Sequence, residues 1–411
     1  DYPGRINIYC LDDGANAEVE ALAEEYGISY MSRPNRGWFK KAGNLRYGYE
    51  RTDGEFLVVF DADFCPRPDF LVELLPYFES EPKLGIVQSP QYFHMRSDQN
   101  WLERGAGAVQ GSFYRIMQTS RQWHGGAICV GTNAVYRRSA LEAVGGNSLV
   151  EYSEDVHTGF DLRRHGWDLR YVPIVLATGL CPDRLSPFFS QQYRWCRGSM
   201  GLSVSRKFWS TKLSLSSRLC FASGFLFYLH HVAISIVAPA MLVVLIYLSP
   251  DSFDTIGYGL VAPWLLLSLV VLPLWHRPTY RFDILTVRLI SSWAYLFAAV
   301  DLMRGRSMAW QATGAKSQSD WRFKMAKLGV LVWNGGCGFV LMGLSIWSTL
   351  HSQTAGFGPI FLLGLTYCVM AGRIVKLSTQ IPQATANLVI PLPREEMMPV
   401  AITPEQNLEV A

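Results

Sequence analysis

The chain has 411 residues, a length that allows more than one domain. Hydrophobic residues make up 49% of it and charged residues only 17%, against about 25% in ordinary soluble proteins. The net charge is +3, and no basic stripe is interleaved with aromatic residues, so nucleic acid is not an expected partner. The eight cysteines have no metal-binding spacing, and we expect reduced thiols.

Residues 1–215 have the pattern of a soluble α/β domain. The apolar runs that predict strands are INIYCL (6–11), GEFLVVF (54–60) and LGIVQSP (84–90). An amphipathic stretch between the first two predicts a helix that ends near Gly27. Strands that alternate with helices indicate a parallel sheet, whose ligands bind outside the carboxyl ends of the strands. The chain opens at Asp1 inside a βα unit, and we expect a fragment whose N-terminus is missing.

Aspartates follow the first two predicted strands. Asp12 and Asp13 follow the first, and their carboxylates are suitable acceptors for a base or ribose edge. Asp61 and Asp63, one residue apart, follow the second. Hard carboxylate oxygens of this kind suit Mg²⁺ or Mn²⁺, with substrate phosphates as further ligands. The alternative is a turn of solvated acids, because aspartate is common in turns.

Two glycine-containing stretches add further site candidates. Lys40 and Lys41 stand just before a predicted helix, where phosphate binds well, although a solvated basic turn is the alternative. GTNAVYRRSALEAVGG (131–146) predicts a strand, a turn and a helix that stops at two glycines. The small residues at its beginning are candidates for a turn that lines the substrate.

Two later motifs combine charged and aromatic side chains. YSEDVHTGFDLRRHGW (152–167) places Glu154 and Asp155 ahead of an amphipathic helix, where helix capping is the alternative role. QQYRWCRGS (191–199) predicts a helix with Gln191 and Arg194 on one face, followed by Trp195. Arginine can bind a pyrophosphate and an indole can stack on a sugar, whereas an interfacial anchor is the alternative.

The second half of the chain contains long apolar segments. The candidate membrane spans are 226–248, 257–275, 328–349 and 358–375. The connections 249–256 and 350–357 contain no Lys or Arg, whereas 276–327 contains nine. This charge pattern favours a membrane protein over a large buried helical core, and it places the N-terminal domain in the cytosol. Within 276–327, we expect residues 283–303 to form an interfacial helix.

The motifs Asp-Asp-Gly, K-A-G-N, D-x-D, [T/S]-E-D and Q-x-x-R-W occur in this order before the apolar helices. This set resembles the processive glycosyltransferase family 2 enzymes, above all cellulose synthase catalytic subunits, over residues 1–376. The resemblance implies a Rossmann-like glycosyltransferase-A domain over 1–215, a transmembrane channel domain over 216–376 and a cytosolic tail over 377–411. It implies an inverting, UDP-sugar-dependent polymerase in the plasma (inner) membrane, with β-1,4-glucan as the first expected product.

The resemblance also assigns roles at the donor site. Asp12 or Asp13 would contact the uridine of the UDP-sugar, and Lys41 would contact its phosphates. Asp61 and Asp63 would bind the diphosphate, with Asp63 as the direct ligand of the metal, Mg²⁺ or Mn²⁺.

Further roles concern the acceptor, which is the growing glycan. Asp155 would be the general base. Gln191 and Arg194 would belong to the Q-x-x-R-W segment, with Arg194 near the diphosphate and Trp195 stacked on the acceptor sugar at the channel mouth. Thr313 and Lys316 would belong to a gating loop, although they stand one residue further apart than in the family pattern.

Other features depart from the family or leave alternatives open. Ser153 replaces the usual threonine, the upstream Thr-Tyr-Asn-Glu-like motif is missing, and the tail has no PilZ-like R-x-x-x-R signature. Hyaluronan-like, chitin-like, mannan or mixed-linkage products remain open. The alternatives in function are transfer of one sugar to a lipid and a catalytically inactive membrane scaffold. Expected partners are the lipid bilayer, the donor, the glycan and an accessory polysaccharide-export subunit.

Overall fold

The structure is a computed structural model that describes residues 2–95, 98–249, 262–263, 266–271, 274, 281–308, 320–351 and 357–379. The strands in these ranges are β1 (Tyr9–Leu11), β2 (Ser29–Met31), β3 (Phe56–Val59), β4 (Phe64–Pro66), β5 (Leu84–Gln88), β6 (Tyr92–Phe93), β7 (Ala134–Arg137), β8 (Asp168–Tyr171) and β9 (Ala177–Gly179). The helices of the N-terminal half are α1 (Ala17–Glu25), α2 (Lys40–Tyr49), α3 (Phe70–Leu74), α4 (Pro76–Ser80), α5 (Trp101–Ser112), α6 (Thr119–Trp123), α7 (Arg138–Ala143), α8 (Glu154–Arg164), α9 (Leu185–Ser203) and α10 (Arg206–Ser210).

The described part of the apolar half is mainly helical. Its helices are α11 (Leu215–Val232), α12 (Ala238–Leu248), α13 (Arg281–Met303), α14 (Trp321–Gly329), α15 (Gly336–His351) and α16 (Gly358–Thr379). Short π-helical segments are Phe113–Gln118, Ala233–Val237, Leu267–Val271 and Val330–Gly335. Three of these segments join α5 to α6, α11 to α12 and α14 to α15 without a break.

Local sequence signals explain several elements of the N-terminal half. The side chain of Asn16 accepts a hydrogen bond from the Glu18 N–H at 2.9 Å and begins α1. Gly27 adopts a φ of +64° just beyond that helix, as predicted for a stop signal. β5 is buried at every residue, which explains its apolar sequence up to Gln88, whose side-chain amide donates to the Ile128 carbonyl oxygen at 2.6 Å. The three strands predicted from apolar runs are all present, each shorter than its run.

The main sheet of the described chain has the strand order β3-β7-β5-β8. β5 and β8 are parallel, but β7 runs antiparallel to both β3 and β5. The predicted parallel sheet is therefore a mixed one, because β7 lies between β3 and β5 and runs in the opposite direction. The register pairs Val59 with Ala134, so the end of β3 meets the beginning of β7. This arrangement brings residues 61–63 beside residues 131–133.

Among the described residues, four helical stretches are long and apolar enough to cross a membrane: Leu215–Leu248, Phe282–Met303, Trp321–His351 and Gly358–Ser378. They contain three of the predicted spans, namely 226–248, 328–349 and 358–375. Most of the remaining predicted span, 257–275, lies outside the described residues. In the stretch Phe282–Met303, 61% of the apolar window is buried inside the protein, more than in the other three. Its predicted interfacial position stays a prediction.

The buried helix α13 joins the two halves of the chain. Ile290 of α13 and Tyr193 of α9 are both fully buried in one hydrophobic cluster. Asp283, at the beginning of α13, forms two ion pairs. Its Oδ2 lies 3.1 Å from Nη2 of Arg104 in α5, and its Oδ1 pairs with Arg373 of α16. Residues of α5, α9 and α16 therefore pack with α13 in one hydrophobic core. The ion pairs of Asp283 add a polar link between α5, α13 and α16.

Candidate active site

The end of β3 carries a charged cluster around Asp61. The Asp61 N–H donates to Thr132 Oγ1 at 2.9 Å, a contact made possible by the antiparallel pairing of β3 and β7. Lys41, in the first turn of α2, pairs with the Asp61 carboxylate and donates to the Gly131 carbonyl oxygen at 3.0 Å. Its Nζ also lies 4.0 Å from Glu154 Oε1 at the beginning of α8. Four separate parts of the chain therefore meet at one ammonium group.

The charge state of Lys41 follows from this surrounding. Burial opposes its charged form, but the carboxylates of Asp61 and Glu154 outweigh burial and raise the pKa of Lys41. The lysine is therefore a cation at neutral pH, and its ammonium group lies among the carboxylates of Asp61 and Glu154 and the Gly131 carbonyl oxygen. A cation in this position is suited to bind an anionic ligand such as a diphosphate.

Asp155 stands against Gly131 in the same cluster. Its Oδ1 accepts a hydrogen bond from the Val156 N–H at 2.8 Å, as befits an acid in the first turn of a helix. Gly131 has a φ of +76°, and a Cβ added there would lie 2.7 Å from Asp155 Oδ2. Burial and then the neighbouring carboxylate of Glu154 raise the pKa of Asp155 to about 7. A carboxyl group with this pKa is suited to proton transfer at neutral pH.

Asp63 follows Asp61 in a turn, in which the Phe64 N–H donates to the Asp61 carbonyl oxygen at 2.9 Å. Burial and then the charge of Asp61 raise the pKa of Asp63 to about 6. The pair fits a hard divalent cation, since both ligands are carboxylates. Within the described residues, no group of three or more His, Cys, Asp or Glu side chains forms a metal cage. Mg²⁺ in proteins is commonly bound by one or two carboxylates together with phosphate and water.

Asp12 and Asp13 lie at the end of β1, and both are held by the protein itself. Asp12 accepts hydrogen bonds from the N–H groups of Gly14 and Asn16, each at 2.7 Å. Asp13 pairs with Arg33, and Arg33 Nε lies 2.5 Å from Asp13 Oδ1. Arg33 itself is only 1% exposed. For both aspartates these hydrogen bonds outweigh burial and lower the pKa. Their predicted contact with uridine stays a prediction.

The helix predicted around residues 191–199 is present as α9. Arg194 Nη1 donates to Ser190 Oγ at 3.2 Å. Its guanidinium is also close enough to Glu154 and Asp61 for their carboxylates to stabilise its positive charge. Gln191 and Trp195 instead line a cavity. The side chains of α5, α11 and α13 that share this cavity are Ala106, Val109, Gln110, Phe227, His231, Val287, Arg288, Ser291 and Tyr295. One helix thus presents an arginine to the charged cluster and an indole to a cavity beside the apolar helices.

Sequence reasoning missed how closely α8 and α9 approach each other. A Cβ added at Gly198 would lie 2.2 Å from Ser153 Oγ, so only glycine fits at this point of α9. Ser153 has a φ of +52°, a conformation that is strained for a residue other than glycine. The only sequence signal was the glycine three residues after Trp195. The predicted gating residues Thr313 and Lys316 lie outside the described residues.

Comparison with known proteins identifies the family. Residues 56–303 match the family model of glycosyl transferase family group 2. The chain belongs to this family. Cellulose synthase 1 of Komagataeibacter xylinus is 31% identical over 274 residues, which cover 62% of this chain and 18% of the relative. The cellulose synthase catalytic subunit of Xanthomonas axonopodis pv. citri is 34% identical over 238 residues, 56% of this chain and 32% of the relative.

The predicted likeness to cellulose synthase catalytic subunits is thus confirmed, although the chain covers about a third or less of these two relatives' length. A solved mannosyltransferase, PcManGT from Pyrobaculum calidifontis in complex with GDP-Man and Mn²⁺, aligns with a TM-score of 0.53. The alignment covers 73% of this chain and 79% of that one at 17% identity. This likeness confirms the predicted glycosyltransferase-A fold.

Proposed function

We propose that the protein is a membrane-embedded, processive glycosyltransferase that extends a β-linked glycan from a UDP-sugar. The observation that carries the proposal is the position of Asp155, which lies against Gly131 beside the Lys41–Asp61 pair. A general base, a phosphate-binding cation and a pair of metal-binding acids are the parts that sugar transfer from a nucleotide requires. UDP-glucose is the first expected donor and β-1,4-glucan the first expected product, by likeness to the cellulose synthases.

In this proposal the donor diphosphate lies between α2 and α9. Lys41 and Arg194 bind its oxygens through charge-assisted hydrogen bonds. Asp61 and Asp63 would bind Mg²⁺ or Mn²⁺. The metal would neutralise the negative charge that develops on the departing UDP. The cationic side chains are fixed in advance by their contacts with Ser190, Gly131 and the neighbouring acids, so little reorganisation is needed during reaction.

The transfer step then uses Asp155 as the base. Its carboxylate takes the proton of an acceptor hydroxyl while the hydroxyl oxygen forms a bond to the anomeric carbon of the donor. The bond from that carbon to the β-phosphate oxygen breaks, and its electron pair leaves with UDP. Because attack and departure occur on opposite faces of the carbon, an α-linked donor gives a β-linked product.

The acceptor glycan enters beside Gln191 and Trp195, whose cavity of about 20 Å³ must widen to admit a sugar ring. The indole offers a flat apolar face to a sugar ring, and the amide offers hydrogen bonds to hydroxyl groups. Helices long enough to cross a membrane adjoin this cavity, so a product of any length can leave the site along them. The proposal places the enzyme in the plasma (inner) membrane with its catalytic domain in the cytosol, served by an accessory export subunit.

The proposal is tested with Asp155→Asn in native membranes, where sugar incorporation and UDP release are measured together. Asp161→Asn on the same helix is the matched control, because the Asp161 carboxylate contacts Lys207 and Ser148 and none of the acids or Lys41 in the cluster. Loss of a general base is expected to lower kcat at least about a hundredfold, while the control keeps its rate. Equal rates in both variants would overturn the assignment of the base.

A further inference from the structure

Tyr152 immediately precedes the segment that carries the proposed base. It takes no part in binding the donor or in the proton transfer proposed for Asp155. Its hydroxyl donates to the backbone carbonyl oxygen of Met308, which lies beyond the end of α13. Its ring packs edge-on against Tyr193 of α9, with centroids 6.4 Å apart and planes at 79°. One side chain thus links the segment before α8 to two elements that pack around it.

The partners of Tyr152 are themselves fixed by a buried polar network. The Tyr193 hydroxyl donates to Asp301 Oδ2 at 2.7 Å, and Arg322 Nε donates to the same oxygen at 2.6 Å. Asp301 is 4% exposed and Arg322 6% exposed, so this is a buried ion pair with well-satisfied partners. Arg322 Nη2 also donates to the carbonyl oxygen of Ser307 at 3.3 Å.

Two successive carbonyl groups, those of Ser307 and Met308, are therefore held by side chains from different elements. Met308 is itself 5% exposed and belongs to the hydrophobic core shared by α9 and α13. The oxygen that Tyr152 contacts thus belongs to a rigid part of the molecule. A hydrogen bond to such a point restricts the position of Tyr152 more than a bond to a surface group does.

The other side of the same turn is fixed by α9. Gly198 lies so close to this turn that an added Cβ would lie 2.2 Å from Ser153 Oγ and 2.9 Å from the Tyr152 carbonyl oxygen. The His157 ring lies 3.3 Å from the Gly198 carbonyl oxygen through its Nε2. The turn that delivers Asp155 is therefore held between Gly198 on one side and the Tyr152 hydrogen bond on the other.

We propose that Tyr152 is a positioning residue, whose hydrogen bond to Met308 sets the direction from which Asp155 meets the acceptor hydroxyl. This inference rests on the proposed function, because it takes Asp155 as the base. It adds that the rate of transfer depends on the segment following α13, through a contact that involves neither donor nor acceptor.

The test compares Tyr152→Phe with Tyr367→Phe in the full chain in membranes. Tyr367 is a matched control because its hydroxyl also donates to a backbone carbonyl oxygen, that of Ile234 at 3.4 Å, among the apolar helices. Loss of the Tyr152 hydrogen bond is expected to lower kcat roughly fivefold, with the KM for the donor unchanged to within about twofold. Tyr367→Phe is expected to leave both constants at their original values.

The inference is overturned if Tyr152→Phe keeps the original kcat, or if its effect falls on the KM of the donor. A purely structural role would lower the unfolding midpoint, and its apparent loss of kcat would disappear once rates are divided by the concentration of folded enzyme. Asp155→Asn, measured in parallel, separates this failure from that of the proposed function. An active Asp155→Asn variant refutes the base itself, whereas an inactive one beside an unaffected Tyr152→Phe refutes only the positioning role.

Discussion

Substitution of Gly131 by alanine tests where the catalytic base lies. The added methyl carbon would lie 2.7 Å from Asp155 Oδ2 and 2.9 Å from Asp155 Cβ. Ordinary contact begins at 3.4 Å, so the carboxylate must move by about 0.7 Å to accept the methyl group. A misplacement of this size at a reacting group is expected to lower kcat by about one to two orders of magnitude.

Gly145→Ala is the control for the backbone strain that the Gly131→Ala substitution causes. Gly145 has the same φ of +76°, and an added Cβ there meets no atom within 4 Å. Both variants therefore share a conformational cost of about 1–2 kcal/mol, and only Gly131→Ala displaces Asp155. The assay is initial UDP release at saturating donor, with the unfolding midpoint of each variant as the measure of strain. Equal kcat values for the two variants would refute the placement of Asp155 as the reacting base.

Three further predictions concern the same cluster. Lys41→Met is expected to raise the KM for the UDP-sugar about tenfold or more, since it removes a cation from the diphosphate site, whereas Lys40→Met is expected to change it little. A plot of kcat/KM against pH is expected to rise about tenfold per pH unit and level off near pH 7, because Asp155 of the free enzyme acts only when ionised; a flat profile would contradict this. Gly198→Ala is expected to lower kcat at least about tenfold by displacing the base-bearing turn, whereas Gly201→Ala on the same helix, with its nearest atom at 3.6 Å, is expected to be neutral.

Much of the architecture was predictable from local patterns in the sequence. The run that ends at Asp61 forms β3, the segment after Ser153 forms α8, and the stretch containing Arg194 forms α9. These elements depend on apolar periodicity and on caps, which are properties of neighbouring residues. The order of the motifs then identified the family, because five short patterns in one order are far more specific than any of them alone.

The contacts that complete the site were not predictable, because they join distant parts of the chain. The direction of β7 decides that Thr132 meets Asp61, and nothing in either apolar run fixes that direction. The pairing of Asp13 with Arg33, 20 residues away, likewise depends on how β1 and β2 lie together. The approach of Gly198 to Ser153 depends on the packing of α8 on α9, and a single glycine in a helix gives no indication of its partner.

The most direct test of the central claim offers single donors to the full-length protein in membranes with Mg²⁺ or Mn²⁺. UDP-glucose, UDP-GlcNAc, UDP-glucuronate and GDP-mannose are supplied separately, and nucleotide release and product length are measured. The expected result is a long polymer from a UDP-sugar, first of all a β-1,4-glucanase-sensitive polymer from UDP-glucose, that Asp155→Asn abolishes. Products that carry a single added sugar on a lipid, or no nucleotide release with any donor, would contradict it.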